Sequence, residues 1–138
     1  MLCLALGSVV AAADAQTLQL TITGIRNADG TVRVGFYDSA AQWDTKRSSF
    51  QRSGAKSAVS GDTLVLVFAD VAAGRYAIAV ADDENDNGGM DWGLLLPREG
   101  FGFSNYEHRG LTRPAFEEFA FELAASGVTE VSVRMRYL

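Results

Sequence analysis

The chain has 138 residues, which is enough for one domain with one hydrophobic core. Hydrophobic residues make up 48% of it and charged residues 21%, a balance that excludes an intrinsically disordered chain. The net charge of −5 argues against a protein that binds nucleic acid through its phosphates or binds an anionic membrane surface. Fourteen glycines with only two prolines favour many turns between short strands.

The N-terminal residues differ in character from the rest of the chain. Residues 2–12 form an apolar run as long as a signal-peptide core, and residues 13–15 are an A-x-A-type cleavage site. The run is too short for a membrane span. We therefore expect a signal peptide at 1–15, a mature domain at 16–138 and a periplasmic or secreted protein; the alternative is a buried N-terminal helix or strand. Cleavage would remove Cys3, the only cysteine, and leave no disulfide.

Seven short segments show the alternation of apolar and polar residues that is typical of strands. They are 17–23, 31–38, 55–59, 63–68, 75–81, 116–123 and 129–138. The turn signal at 27–30 predicts that the first two strands form a hairpin, and Trp43 is expected to anchor a short helix to the core. This order predicts an all-β fold, a single antiparallel β-sandwich of about seven strands, immunoglobulin-like or prealbumin-like, with one long loop.

Tyr76 follows a small turn at the start of the 75–81 strand. This placement is typical of the tyrosine corner of Greek-key sandwiches, in which the hydroxyl bonds back to nearby backbone. The alternative interpretation is an ordinary core aromatic.

The long loop is the place where the sequence points to function. Residues 82–115 have no clean periodicity, and connections of that length in a compact domain are usually functional. Residues 83–91 fit the pattern D-x-N-x-N-G-x-x-D, the first half of an EF-hand loop, in which alternate oxygens converge on Ca²⁺. The predicted ligands are Asp83, Asn85, Asn87, Gly89 through its carbonyl, and Asp91.

The calcium pattern is incomplete at its end. Its twelfth position is Leu94 where an EF-hand has a bidentate Glu, so we expect weak affinity and further ligands from Asp82 or Glu99. Glu84 and Asp86 are expected to point outward and raise the local negative potential. The alternative is a metal-free network of Asx turns.

Four aromatic residues follow the calcium pattern, Trp92, Phe101, Phe103 and Tyr106. We expect them to form a satellite cluster that ties the long segment to the sandwich. A ligand-binding surface is the alternative.

The sequence offers no convincing catalytic set. Carboxylates of the loop together with His108 would suit a carboxylate-dependent hydrolase acting on an envelope glycan, which is the alternative function. His108 is the only histidine, and a loop histidine between Glu107 and Arg109 is expected to be a solvated polar residue. The favoured interpretation is therefore a binding or structural module, whose partner is an envelope protein, a glycan or a small apolar molecule.

The loop motifs together resemble a known family. The pattern V-x-x-D-E-N-x-N-G-x-x-D, followed by P-x-E-G-x-G-F-S-N, R-G, P-x-F and a final F-x-L strand, is similar to the exported bacterial family catalogued as domain of unknown function 2141. Members often carry a histidine just before D-E-N, where this chain has Asp82, so no role of that histidine transfers. The resemblance implies an exported sandwich and no particular activity.

Overall fold

The computed structural model describes residues 16–86 and 99–138. The eight strands in these ranges are β1 (Gln16–Thr23), β2 (Thr31–Tyr37), β3 (Phe50–Ala55), β4 (Leu64–Phe68), β5 (Gly74–Asp83), β6 (Gly100–Phe103), β7 (Ala120–Leu123) and β8 (Gly127–Arg134). Two short helices, α1 (Ala40–Asp44) and α2 (Phe116–Phe119), and one 3-10 turn (Lys56–Ala58) lie between them. No helix in the described ranges is long and apolar enough to cross a membrane.

The strands form two sheets that pack face to face as a sandwich. The first sheet has the order β4-β1-β8, and the second has the order β3-β2-β5-β6 with β7 also paired to β5. The predicted all-β sandwich is thus confirmed. One pair departs from the antiparallel expectation, since β1 and β8 run parallel, with Leu20 opposite Val131.

The predicted hairpin of the first two strands is wrong. β1 belongs to the three-stranded sheet and β2 to the other, so the turn at 27–30 carries the chain from one sheet to the next. Gly30 takes a positive φ of 78° there, and a Cβ at this position would lie 2.2 Å from the carbonyl oxygen of Asp83. The turn therefore packs directly on the end of β5, an approach that only glycine allows.

Three other elements differ from their predictions. Residues 55–59 form the end of β3 and the 3-10 turn, not a separate strand. The segment 116–123 begins with α2 before it becomes β7. β6 was expected to be loop because the alternation in Gly-Phe-Gly-Phe is of size and not of polarity. The predicted signal peptide at 1–15 lies outside the described residues.

The main core fills the space between the sheets. Alternate residues of β5 point into it, with Ile78 and Val80 fully buried against aliphatic side chains of β1 and β8. Tyr76 lies at its edge, and its hydroxyl donates a hydrogen bond to the carbonyl of Ala72 at 2.8 Å. The prediction of a tyrosine corner is confirmed.

A second hydrophobic cluster covers the outer face of the five-stranded sheet. On this face the middle of β5 presents only alanines, and aromatic rings from α1, β6 and α2 pack against them. Trp43 lies at the centre, with its ring 4.7 Å from that of Tyr37 and 5.0 Å from that of Phe119, and its indole N–H donates to the carbonyl of Pro114. The helix that Trp43 was predicted to anchor is confirmed.

Candidate functional site

The predicted loop at 82–115 contains the strand β6, and the two ends of the part that precedes β6 lie next to each other. β5 and β6 are antiparallel neighbours, and Asp82 pairs with Gly100 in their ladder. The connection between them therefore leaves and re-enters the sandwich at one place. Of the predicted calcium ligands, Asn87, Gly89 and Asp91 lie outside the described residues.

The ligand candidates within the described residues differ in exposure. Asp82 and Asp83 are fully buried, whereas Asn85 is exposed and Glu99 is half-buried. Successive residues of a strand point to opposite faces, so the two aspartates leave β5 in opposite directions.

Asp83 points to the outer face, where it meets a cation. Its Oδ2 accepts a hydrogen bond from Nε of Arg33 at 2.7 Å, and the Arg33 side chain is 24% exposed. Arg33 belongs to the neighbouring strand β2, which places it on the same face. The carboxylate is thus held in a charge-assisted hydrogen bond, the strong kind in proteins.

Asp82 points to the interior, where a buried lysine meets it. The ammonium of Lys56 lies 2.7 Å from Oδ1, and both side chains are 0% exposed. This contact is a charge pair without the direction of a good hydrogen bond, since Oδ1 has no partner of hydrogen-bond geometry. The hydroxyl of Tyr137 donates to Oδ2 at 2.5 Å. Burial, and then the bond to Asp82, raise the pKa of Tyr137, so the phenol stays protonated.

Glu84 does not point freely outward, contrary to its prediction. The guanidinium of Arg26 donates two hydrogen bonds to its carboxylate, both at 2.7 Å, and the amide of Asn27 donates a third at 2.8 Å. The hydrogen bonds from Arg26 hold the pKa of Glu84 below its ordinary value. The glutamate therefore fastens the 27–30 turn to the end of β5, and its charge is neutralised locally.

His108 is buried, so the prediction of a solvated side chain is wrong. Its Nε2 lies 2.7 Å from the carbonyl of Thr112 and its Nδ1 lies 2.7 Å from Nη1 of Arg136. A carbonyl can only accept and a guanidinium can only donate, so the ring is neutral with its proton on Nε2. Both nitrogens are occupied in this geometry, and the ring also packs against Phe101 at 5.1 Å.

Among residues 16–86 and 99–138, no group of three or more His, Cys, Asp or Glu side chains lies in an arrangement that could hold a metal ion. The predicted calcium set depends on three residues beyond these ranges. Calcium binding therefore stays a prediction.

The family can be stated from a family-model match. The model described as "Uncharacterized protein conserved in bacteria (DUF2141)" matches residues 20–132. The chain belongs to the DUF2141 family. No curated protein and no solved structure matches it. The resemblance noted in the sequence is thereby confirmed.

The glycines of the DUF2141-like motif at 97–105 let β6 pack closely against the C-terminal part of the chain. Gly100 and Gly102 face the interior, where a Cβ would lie 2.3 Å from the ring of Tyr137 and 2.5 Å from the side chain of Val133. The alternate positions, Phe101 and Phe103, are buried in the outer cluster, which confirms the predicted satellite cluster for these two aromatics. Trp92 lies outside the described residues.

The serine and asparagine that end the same motif join separate elements. Ser104 is fully buried, and its hydroxyl accepts from the backbone N–H of Ile78 and donates to the carbonyl of Phe119. Asn105 exchanges hydrogen bonds with Ser132 of β8. This part of the DUF2141 motif is therefore a clamp between the sheets.

Sequence reasoning missed the partners of the acidic residues. They are Arg26, Asn27, Arg33, Lys56 and Tyr137. Arg33 carried a weak signal, because it is a cationic residue within a predicted strand. Its partner Asp83 is 50 residues away and could not be identified from that signal. Lys56 and Tyr137 carried none, because their contacts join parts of the chain that are distant in sequence.

Proposed function

We propose that the protein is a non-catalytic binding or structural module that acts in the periplasm or outside the cell, with residues 83–99 as its binding element. The observation that carries the proposal is the pairing of Asp82 with Gly100, which fixes both ends of that segment on one rigid sheet. Long connections held by a rigid scaffold are where proteins of this kind place their binding residues.

The burial and pairing of Asp82, Asp83 and His108 support a binding role over a catalytic one. A general base needs a lone pair that a substrate can reach, within hydrogen-bond distance of the proton it removes. At the base of the segment, Asp82 and Asp83 are fully buried in ion pairs, and both ring nitrogens of His108 are occupied. Asp82, Asp83 and His108 therefore stabilise the sandwich, to which the 83–99 segment is attached.

The proposed location, in the periplasm or outside the cell, is inferred from the sequence. An apolar run with an A-x-A site at the N-terminus supports export, and the partners that fit an exported sandwich are an envelope protein, a glycan or a small apolar molecule. The segment offers carboxylates and amides together with Trp92 and the leucines at 94–96, a mixture that suits any of the three.

Calcium belongs to the proposal as the ion that orders the segment. Asn85, Asn87 and Asp91 supply oxygens at alternate positions, and binding free energy would add to stability by mass action. The proposal does not need Asp83 as a ligand, because its buried carboxylate already meets Arg33. Isothermal calorimetry tests this: Asp91→Ala should abolish the heat of Ca²⁺ binding seen with the wild type. A wild type without measurable heat at millimolar Ca²⁺ would end the calcium part.

The binding role is tested by changing the segment and keeping the scaffold. Residues 87–98 are replaced by a Gly-Ser linker of equal length, and a matched control carries the same twelve residues in scrambled order. Both variants should melt close to the wild type and both should lose capture of the partner from a glycan array or an envelope extract.

Two results would contradict the proposal. Capture that persists in both variants would place the binding surface elsewhere. Turnover of an envelope glycan by the wild type that is abolished by Glu99→Gln would replace the binding module with a hydrolase.

A further inference from the structure

The environment of Lys56 is unusual for a lysine. The chain has two lysines; Lys46 is exposed, whereas Lys56 is 0% exposed. Taking an ammonium out of water costs several kcal/mol even when it is paired. Within residues 16–86 and 99–138, the ammonium of Lys56 contacts Oδ1 of Asp82 at 2.7 Å and the side-chain carbonyl oxygen of Asn27 at 2.8 Å. A lysine side chain, a carboxamide and a carboxylate thus meet at one place.

We infer that Lys56 and Asn27 become joined by an intramolecular isopeptide bond, with Asp82 as the group that takes the proton. The carbonyl carbon of Asn27 is one C=O bond beyond the contacted oxygen, so Nζ lies no farther than about 4 Å from it. That is close to the separation from which such groups react, and fixing two reactants in place can correspond to effective molarities of up to about 10⁸ M.

The step balances without any other reactant. The ammonium of Lys56 passes one proton to Asp82, and the neutral amine attacks the carbonyl carbon of Asn27. A second proton moves from the attacking nitrogen to the amide nitrogen of Asn27, the C–N bond to that nitrogen breaks, and ammonia leaves. The products are a secondary amide, a neutral Asp82 carboxyl group and one ammonia molecule. A buried ion pair is thereby exchanged for neutral groups, which removes the cost of keeping charges in the core.

Neighbouring groups hold the three participants for this step. Tyr137 donates to Oδ2 of Asp82 and leaves Oδ1 facing the lysine. Glu84 accepts a hydrogen bond from the amide nitrogen of Asn27, which fixes the orientation of the carboxamide. The Glu84 side chain is 23% exposed, so the ammonia leaves toward solvent on that side.

The bond would join two connections that are distant in sequence. Asn27 lies in the turn between β1 and β2, and Lys56 opens the 3-10 turn after β3. The covalent link would fix these two connections to each other beside Asp82, at the base of the 83–99 segment. It stands apart from the proposed binding function, since the link needs no partner.

Mass spectrometry of the folded wild type tests the inference directly. The intact mass should be lower than the sequence mass by one ammonia. Trypsin should fail to cut after Lys56 and should yield a branched peptide in which 27–33 is joined to 53–75. Sequencing of that peptide is decisive, because a succinimide at Asn27 or cyclisation of Gln16 also loses ammonia but leaves Lys56 cleavable.

Variants assign the roles. Asp82→Asn, which keeps the side-chain size, should leave Lys56 and Asn27 unjoined, as should Asn27→Ala. Lys46→Arg is the matched control and should retain the branched peptide. Linear peptides ending at Lys56 in the folded wild type, with or without an ammonia loss elsewhere, would overturn the bond. A branched peptide that still forms in Asp82→Asn would overturn the role of Asp82.

Discussion

The two faces of β5 are both buried, but one carries large side chains and the other carries small ones. Toward the interior, Ile78 and Val80 are large and meet the aliphatic side chains of the other sheet. Toward the outside, Ala79 and Ala81 are small because aromatic rings of the outer cluster fill the space above them. Both faces are buried, so polarity alone does not distinguish them, and size does.

The comparison continues at the end of the strand. Each face of β5 ends in a fully buried aspartate, and each aspartate meets a cation from a different element, Lys56 inside and Arg33 outside. A carboxylate without a partner at such a position would be very costly. Asp82 and Asp83 therefore stabilise the end of β5, to which the 83–99 segment is attached.

The largest predicted effect concerns the outer cluster, and it shows whether this cluster contributes as much to the free energy of unfolding as the interior core does. Trp43→Ala removes a ring that contacts Tyr37 and Phe119, and it should lower the free energy of unfolding by about 3–5 kcal/mol, as for a core aromatic. Urea unfolding measures it, with the exposed Val67→Ala expected within about 0.5 kcal/mol of wild type. A loss below about 1 kcal/mol would mean that the outer cluster is a separable cover.

The next effect concerns the outer charge pair. Arg33→Met removes the charge-assisted hydrogen bond from Arg33 to the fully buried Asp83 and should cost about 1.5–3 kcal/mol, the range for a hydrogen bond to a charged group. Arg47→Met, at an exposed position, is the matched control and should be close to neutral. An equally small change in both variants would show that Asp83 does not depend on Arg33.

Side-chain size on the outer face gives a somewhat smaller effect. Ala79→Val adds volume beneath the aromatic rings and should destabilise by about 1–3 kcal/mol through overpacking. The same change at the exposed Ala125 should be nearly neutral, measured by the same unfolding titration. A stabilised Ala79→Val would mean that the outer face is underpacked.

The smallest effect is a pH dependence at Glu84. Its pKa is lowered in the folded state, so its bonds to Arg26 contribute stability above the unfolded pKa of about 4.3, and that contribution is lost as pH falls through the folded pKa. Glu84→Gln should therefore be less stable than wild type at pH 7 and should approach it in acid. A difference that stays constant from pH 7 to pH 3 would exclude this carboxylate as the cause.

Much of the fold was predictable because alternation is a local signal. β1, β2, β4 and β5 follow from it directly, and Tyr76 follows from its turn. The parallel pairing of β1 with β8 did not, since register between distant strands depends on contacts that a single segment does not contain. β6 was missed for a related reason: both of its faces are buried, one in the outer cluster and one against Tyr137 and Val133, which Gly100 and Gly102 leave room for.

The candidate site was less predictable than the fold. Missing periodicity pointed to residues 82–115, a range that includes the 83–99 segment but also β6, and it did not reveal the state of the first residues. A spacing pattern suggested that Asp83 points its carboxylate toward an ion, and it gave no sign that the strand extends through Asp83 and pairs it with β2. Lys56 reaches Asp82 only through the fold, so the cation that neutralises it leaves no trace near it in the sequence.

The melting temperature of Asp83→Asn, taken once in EDTA and once in millimolar Ca²⁺ beside the wild type, tests most directly whether the acidic base of the segment is structural. Asparagine keeps the size of the side chain and removes the charge that Arg33 meets. We expect the variant to melt lower by the same amount in both conditions. A loss that appears only in Ca²⁺ would contradict this account and make Asp83 a metal ligand.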